Sequence, residues 1–348
     1  MSNKKASLNF DKAEVKGIVT TVGCNQIFFE DEAKKLGLSI EEMTRLKKTL
    51  SLGSRYVAKE GETIVDYCSH SAGILLENLS IDPSTIQGLI LVTQSPNYSA
   101  PSSAIKLQHL LGLSNNTFAF DIHLGCSGYV YGLSTAYSFI QSGMDRVLLC
   151  VGDIATSFVD DNDHALSPLM GDSATATLIE RTTSCPSYFN LYSDGSGEKA
   201  LYIPNSGIVK NIEEGQLMQS KMRMDGAAVF TFTLKRVPKM VDEILSYSGN
   251  DVEDIDYFVL HQPNQYILKN LQKRMKISEN RMPIKTQSVY GNQNSGSIPG
   301  TINGFLANEY GNCKNKSLLS GFGIGLSWGA CIIETNSIFC PPSFIGLK

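Results

Sequence analysis

The stretch IQGLILVTQ (residues 86–94) is matched half a chain later by IDYFVLHQ (residues 255–262). A second pair, RVLLCVG (146–152) and SLLSGFG (317–323), repeats with the same offset of about 170 residues. Each is a short apolar run, and longer helix-like stretches lie between such runs. Near-continuous apolar strands are typical of sheets that helices cover on both faces. The sequence therefore predicts an α/β protein built from a duplicated unit.

The common offset places the division between a first half, residues 1–185, and a second half, residues 186–348. The segment at this boundary, ERTTSCPSYF (180–189), contains no linker or low-complexity sequence. Domain boundaries usually fall in flexible, polar linkers. We therefore expect the two halves to pack tightly into one body.

The composition is that of a soluble globular protein, with 348 residues, 42% hydrophobic residues, 18% charged residues and a net charge of −4. This charge argues against wholesale nucleic-acid binding. The eight cysteines form no CxxC pair and the five histidines are dispersed, so free thiols and no metal site are expected. The polar start and the lack of a run of about 18–20 apolar residues predict a cytoplasmic protein with no membrane span.

One cysteine lies in a setting that favours chemistry, within DIHLGCSGYVYGLSTAYSFIQSG (121–143). A short strand ends near Ile122, and a helical pattern begins after Cys126. The N-terminus of a helix favours a thiolate, and its backbone N–H groups can stabilise an oxyanion. A buried structural thiol is the usual alternative for a cysteine in an apolar segment. The flanking glycines favour the reactive interpretation, because they permit a sharp turn and close approach of a substrate.

Three further segments are less decisive alone. His261 ends an apolar strand, where it either reaches a cleft as a base or donor or is a satisfied core histidine. GNQNSGSIP (291–299) has the composition of a polar turn. SGFGIGLSWGA (320–330) lacks the lysine and the context of a phosphate-binding loop. Its glycines instead indicate close approach of the backbone to another segment or a ligand.

Five motifs taken together resemble the β-ketoacyl-acyl-carrier-protein synthase III family of thiolase-fold condensing enzymes, from about residue 50 to the end. In chain order the motifs are GCSG (125–128), GDSATATLI (171–179), HQPN (261–264), GNQNSGSIP (291–299) and GFGIGLSWG (321–329). The resemblance implies a duplicated five-layer α/β/α/β/α fold, usually as a homodimer. It also implies an acyltransferase of fatty-acid initiation or a specialised acyl or polyketide pathway. Such an enzyme needs no cofactor, since coenzyme A or acyl-carrier protein carries its substrates on phosphopantetheine.

Carried over to this chain, the resemblance makes Cys126 the nucleophile that accepts an acyl group. His261 and Asn292 would hydrogen-bond the thioester oxygen of a malonyl group as it loses CO2, and the backbone N–H groups of Cys126 and Ile324 would hold the oxyanion. The residues that it places at the substrate are Ala100, Met224, Gly226, Phe230, Asn264 and Phe322. Exposed basic residues would dock the carrier protein: Lys269, Lys273 and Arg274.

Two departures from the family pattern concern the substrate. Arg45 and His164 stand where the family clamps adenine between a tryptophan and an arginine, and Ala100 replaces a large aromatic residue. A smaller residue at that position would admit a longer or branched acyl chain. Two other functions remain open from the sequence. One is acyl transfer to a hydroxyl or amine without decarboxylation, and the other is a non-catalytic partner subunit that binds carrier protein.

Overall fold

Strands and helices alternate along the chain in a computed structural model that describes residues 6–213 and 216–347. The strands are β1 (Ala6–Phe10), β2 (Ala13–Val22), β3 (Asn25–Phe28), β4 (Ser54–Val57), β5 (Gly88–Val92), β6 (Phe118–Ile122), β7 (Arg146–Asp153), β8 (Ser173–Arg181), β9 (Ser187–Ser193), β10 (Leu201–Tyr202), β11 (Ile212–Glu213), β12 (Gln216–Leu217), β13 (Arg223–Met224), β14 (Tyr257–Leu260), β15 (Lys314–Gly323), β16 (Ser327–Asn336) and β17 (Phe344–Ile345). The α-helices are α1 (Phe29–Lys35), α2 (Ile40–Leu50), α3 (Ile64–Asn78), α4 (Ser103–Leu110), α5 (Gly128–Gln141), α6 (Gly226–Ser248), α7 (Gln265–Met275), α8 (Thr286–Tyr290), α9 (Ser297–Phe305) and α10 (Ala307–Asn312).

Two mixed sheets form the framework. The first has six strands in the order β17-β2-β8-β7-β5-β6, and the second has five in the order β1-β9-β16-β15-β14. The repeated segments occupy matched places, since β5 pairs in parallel with β7 and β14 pairs in parallel with β15. β7 and β15 each then pair antiparallel with the next strand along the chain, β8 or β16. The duplication inferred from the sequence is therefore present in the strand order.

Helices lie in three layers around the sheets. α5 and α9 lie between the sheets and share one apolar cluster with both. α3 and α4 cover the outer face of the first sheet, and α6 and α7 cover that of the second. In β14, Val259 packs on the central helices, while Phe258 and Leu260 pack on the outer ones. This two-sided burial explains the continuous apolar strands, and it confirms the five-layer α/β/α/β/α fold.

The two halves exchange their terminal strands. The chain passes from the first sheet to the second between β8 and β9, close to the predicted division at residues 185 and 186. However, β1 pairs with β9 in the second sheet, and β17 pairs with β2 in the first. The division into two domains therefore stays a prediction. Within residues 6–213 and 216–347, none of the helices combines the length and apolar character needed to cross a membrane.

Candidate active site

Cys126 lies in the turn between β6 and α5, next to Ser127, the residue that caps the helix. The turn is tight, with the Gly128 N–H donating to the Gly125 carbonyl at 2.6 Å. A Cβ atom at Gly125 would lie 2.3 Å from Oε1 of Gln94, so only glycine fits there without a shift. The predicted strand-to-helix turn, with the cysteine at the start of the helix, is confirmed.

The glycine-rich end of β15 packs directly on this turn. A Cβ atom at Gly321 would lie 2.7 Å from the carbonyl oxygen of Cys126, and one at Gly323 would lie 2.7 Å from its Sγ. The close backbone approach expected from the glycines is therefore present, and the segment approached is the cysteine turn. The backbone N–H groups of Ile324 and Cys126 both interact with the sulfur and lower the pKa of the thiol. These are the two groups predicted to bind an oxyanion.

We expect the substitution Gly323→Ala to block acylation of Cys126, with thermal unfolding used to check that the variant folds. The added Cβ atom would lie 2.7 Å from Sγ, in the space that the attacking sulfur and its substrate need. Intact-protein mass after exposure to an acyl thioester measures the adduct. Gly73→Ala, a helical position with no atom within 4 Å of the added Cβ, is the control. Normal acylation of Gly323→Ala would contradict the predicted crowding.

His261 follows the last residue of β14 and is buried. Its ring packs edge-on against Phe322 with 5.6 Å between ring centroids, and Nδ1 lies 3.0 Å from Oγ of Ser297. Burial lowers the pKa of His261 to about 3, against a smaller opposing effect of the Asn294 backbone. The imidazole is therefore neutral near pH 7, which is the state required of an uncharged hydrogen-bond donor.

The hydroxyl group of Ser297 determines which nitrogen of His261 can donate. Its Oγ also lies 2.9 Å from the carbonyl oxygen of Asn294, but it has one hydrogen to donate. When that hydrogen is donated to Nδ1, the ring hydrogen is on Nε2, which can donate to a substrate. When it is donated to Asn294, Nδ1 donates to Ser297 and Nε2 can accept a proton.

Asn292 is held between the two halves of the molecule. Its N–H donates to the carbonyl oxygen of Leu169 at 2.6 Å, and its carbonyl oxygen accepts from the Gly171 N–H at 3.1 Å. Gly291 has φ +83°, and a Cβ there would lie 2.7 Å from the Gly171 nitrogen. The side-chain Oδ1 of Asn292 accepts from the Asn294 N–H at 3.0 Å. Among the described residues, its Nδ2 group has no protein partner, so this donor can serve a substrate.

One apolar cavity of about 410 Å³ brings these three side chains together. Of the residues predicted to contact substrate, those that line this cavity are Met224, Gly226, Phe230, Asn264 and Phe322, and Ile324, a predicted oxyanion donor, lines it too. Asn264 also caps α7, because its Oδ1 accepts from the Ile267 N–H at 2.9 Å. Ala100 does not line the cavity. Ala100 is exposed in the segment between β5 and α4, and its contact with the substrate stays a prediction.

The thiol of Cys126 is protonated, contrary to the expectation from its place at a helix start. The side chain is 8% exposed, and this burial raises the pKa of Cys126 to about 11, although the two backbone N–H groups act in the opposite direction. Burial opposes the thiolate of Cys126 and the imidazolium of His261 alike, so the two side chains rest as a neutral thiol and a neutral imidazole. Deprotonation therefore has to accompany attack on a substrate.

Two polar residues beside Cys126 were missed at the level of sequence. Asn294 accepts a hydrogen bond from the thiol, with 3.2 Å between Sγ and Oδ1, and donates from Nδ2 to Oδ2 of Asp153 at 2.9 Å. Both had a signal in the sequence. Asn294 lies in the same motif as Asn292, and Asp153 directly ends an apolar strand in the way that His261 does.

The predicted docking helix, α7, adjoins the cavity. Tyr266 and Ile267 in its first turn line the cavity, and Lys269, Lys273 and Arg274 are exposed further along the same helix. Within the part of the chain that the structure describes, these three cations form no ion pair. An exposed basic surface beside a cavity mouth is suited to an acidic partner.

A thiolase-fold condensing enzyme is the class of protein that this duplicated five-layer fold and this site define. Two family models match the chain. The model of 3-oxoacyl-(acyl-carrier-protein) synthase III covers residues 120–195, and the model of its C-terminal part covers residues 245–335.

Relatives match over nearly the whole chain. A Campylobacter jejuni protein with the provisional name 3-oxoacyl-(acyl-carrier-protein) synthase 3 is 35% identical over 95% of this chain and 96% of its own length. The β-ketoacyl-(acyl-carrier-protein) synthase III of Ehrlichia canis is 33% identical over 86% and 93%. The crystal structure of the Burkholderia xenovorans 3-oxoacyl-(acyl-carrier-protein) synthase superposes with a TM-score of 0.93, at 29% identity over 98% and 99%. The chain belongs to the 3-oxoacyl-(acyl-carrier-protein) synthase III family, whose members are transferases.

Proposed function

We propose that this enzyme accepts an acyl group on Cys126 and condenses it with malonyl-acyl-carrier protein, with loss of CO2. The observation that supports this most is the convergence of a cysteine, a neutral histidine and an asparagine on one apolar cavity, with two backbone N–H groups at the sulfur. The names of the relatives agree with this reaction, since they are β-ketoacyl-acyl-carrier-protein synthases. An apolar cavity of about 410 Å³ suits an acyl chain and a pantetheine arm.

In the first half-reaction, the sulfur of Cys126 bonds to the acyl carbon and the carrier's sulfur departs. The carbonyl oxygen becomes an oxyanion, which the N–H groups of Cys126 and Ile324 can stabilise. The thiol proton has to leave as the sulfur attacks, and it ends on the departing carrier thiol. Nε2 of His261 can carry it between them when Ser297 donates to Asn294, because that arrangement leaves Nε2 unprotonated.

In the second half-reaction, the malonyl group loses CO2 and the electron pair of the broken bond passes into an enolate. Nδ2 of Asn292 and Nε2–H of His261 would donate to its oxygen, the latter when Ser297 donates to Nδ1. Neutral donors in a buried site stabilise the developing charge without protonating the carbanion. The carbanion then attacks the acyl group and breaks its bond to Cys126. The sulfur leaves as a thiolate, which takes up the one proton that the condensation consumes from solvent.

The function is tested by supplying acyl groups on coenzyme A and on carrier protein and then adding malonyl-acyl-carrier protein. We expect an acyl adduct on Cys126, followed by equal amounts of ketoacyl product and CO2. The acyl panel also measures chain length, and the two carriers identify the donor. Transfer of the acyl group to a hydroxyl or amine without CO2 would overturn the condensation. A Cys126 that acquires no acyl adduct from any donor would indicate a non-catalytic protein.

If the carrier protein docks on α7, reversing the charge of the lysines on this helix should weaken its binding selectively. We expect the double substitution Lys269→Glu and Lys273→Glu to raise KM for malonyl-acyl-carrier protein about tenfold, because an acidic partner meets repulsion. Acylation from a neutral, carrier-free thioester should not change. Reversal of two exposed lysines remote from α7, Lys12 and Lys106, is the control for net charge. Equal effects of the two double substitutions would contradict docking on α7.

A further inference from the structure

A hydrogen-bonded chain connects the sulfur of Cys126 to a buried carboxylate. Oδ1 of Asn294 lies 3.2 Å from Sγ, and Nδ2 of the same amide lies 2.9 Å from Oδ2 of Asp153 and 3.2 Å from Oε1 of Gln94. Neither the side chain of Asn294 nor that of Asp153 has a part in the two half-reactions above. Their contacts instead bear on the state of the nucleophile before a substrate arrives.

Asp153 is fully buried at the end of β7, yet it is surrounded by donors. Its Oδ1 accepts from the Gln94 N–H at 2.6 Å and from Oγ1 of Thr93 at 3.1 Å. Its Oδ2 accepts from Oγ of Ser295 at 2.5 Å as well as from Asn294. Burial raises the pKa of Asp153 to about 6, and these hydrogen bonds limit the rise. The group is therefore mainly a carboxylate at neutral pH.

This charge fixes the orientation of the Asn294 amide. A carboxylate can only accept hydrogen bonds, so the NH2 group of Asn294 has to face Asp153 and the amide oxygen has to face Cys126. An amide oxygen accepts from a thiol S–H but repels a thiolate. The contact at 3.2 Å between Oδ1 and Sγ therefore stabilises only the protonated form of Cys126.

We propose that Asp153 and Asn294 are a pair of positioning residues that keeps Cys126 as a hydrogen-bonded thiol between reaction cycles and sets the pH range in which its sulfur reacts. Asp153 acts through Asn294 by holding the amide oxygen toward the sulfur. The role deepens the proposed function, on which it rests for the identity of the nucleophile. A resting thiol resists oxidation and alkylation, whereas an exposed thiolate does not.

The titratable groups that face this pair are few in the described part of the chain. His261 shares the cavity with Cys126 and is neutral, because burial keeps its pKa far below 7. The charge of Asp153 raises the pKa of Cys126 directly, in addition to its effect on the amide. On the other side, burial raises the pKa of Cys68, a thiol on α3, with smaller contributions in the same direction from Cys150 and then Asp153. The pH dependence of Cys126 reactivity therefore reflects ionisation of its own thiol, and Asp153 is the described charge expected to shift it.

The substitution Asp153→Asn provides the sharpest test. The new NH2 group would need an acceptor, and Asn294 can supply one by rotating its amide, which turns its own N–H groups toward the sulfur. Both the lost charge and the new donor would favour the thiolate. We expect the pH–rate curve for alkylation of Cys126 by iodoacetamide to move down by at least about one pH unit. At pH 8 the rate should rise about threefold or more, after allowance for the weaker nucleophilicity of a more acidic thiol.

The rate is measured on the Cys126 peptide by mass spectrometry, which separates this thiol from the other seven. Asn294→Ala is the second variant and should shift the curve in the same direction by less, because it removes the acceptor and keeps the charge. Asp172→Asn is the matched control, since Asp172 is another fully buried carboxylate and accepts from Ala58 and Thr156. It should leave the Cys126 curve in place.

Curves for Asp153→Asn and Asn294→Ala that coincide with the wild-type curve, or that move to higher pH, would overturn the proposed role of Asp153 and Asn294. A shift in Asp172→Asn of the same size would do so too, because it would show a general loss of packing. Alkylation requires neither a carrier nor a malonyl group. If the expected shift is seen in a protein that fails to condense acyl groups, the role of Asp153 and Asn294 stands. The failure to condense would then count against the proposed function alone.

Discussion

Replacing Cys126 by serine is expected to lower condensation by at least about 10⁴-fold and to abolish the acyl adduct on the protein. A serine hydroxyl is similar in size and can donate to Oδ1 of Asn294 as the thiol does. It is a far weaker nucleophile, however, and burial in this site opposes ionisation so strongly that even the thiol has a pKa of about 11. Intact-protein mass and the yield of ketoacyl product measure the two effects.

The control for this substitution is Cys185→Ser, at a half-buried thiol whose Sγ lies 3.7 Å from the Glu334 carbonyl oxygen and outside the cavity. It should retain the adduct and full condensation, and thermal unfolding should show that both variants fold. An acyl adduct on Cys126→Ser that maps to a peptide without residue 126 would mean that another residue carries the acyl group. That result would remove the basis of the proposed mechanism.

The fold could be predicted from the sequence because the sequence patterns that indicate it are local. Apolar runs such as 88–92 and 257–260 are buried on both faces, so their composition reports the sheet and both helix layers at once. The exchange of terminal strands between the two sheets could not be predicted from the sequence. β1 has five residues and β17 has two, and neither has a sequence pattern that indicates which sheet it joins. Such pairing depends on where the chain ends lie after the core has formed.

The site could be predicted only in part, because some of its contacts join residues that are distant in the sequence. The turn at Cys126 follows from its flanking glycines, but the state of the sulfur depends on Ile324 and Asn294, which are about half a chain away. Helix-terminal N–H groups act as expected, and burial outweighs them. Ala100 was placed at the substrate by resemblance alone, and its exposed position between β5 and α4 leaves that contact a prediction.

Replacing Asn292 by aspartate is expected to lower condensation by about 10²–10³-fold and to leave acylation of Cys126 close to the wild-type rate. Aspartate has the same shape and can still accept from the Asn294 N–H, the contact that holds Oδ1 at 3.0 Å. It loses the Nδ2 donor and adds a negative charge where the enolate develops its own. Single-turnover acylation, followed by addition of malonyl-acyl-carrier protein, separates the two half-reactions.

Acylation serves as the internal control, because Asn292 has no part in the attack of Cys126 on the first thioester. The oxyanion of that step is assigned to the backbone N–H groups of Cys126 and Ile324, which an aspartate at residue 292 leaves in place. The accumulated acyl-enzyme should therefore persist in Asn292→Asp after malonyl-acyl-carrier protein is added, whereas the wild type should discharge it. An equal loss in both half-reactions would instead assign Asn292 to the architecture of the cavity, since its N–H and carbonyl groups join the two halves at Leu169 and Gly171.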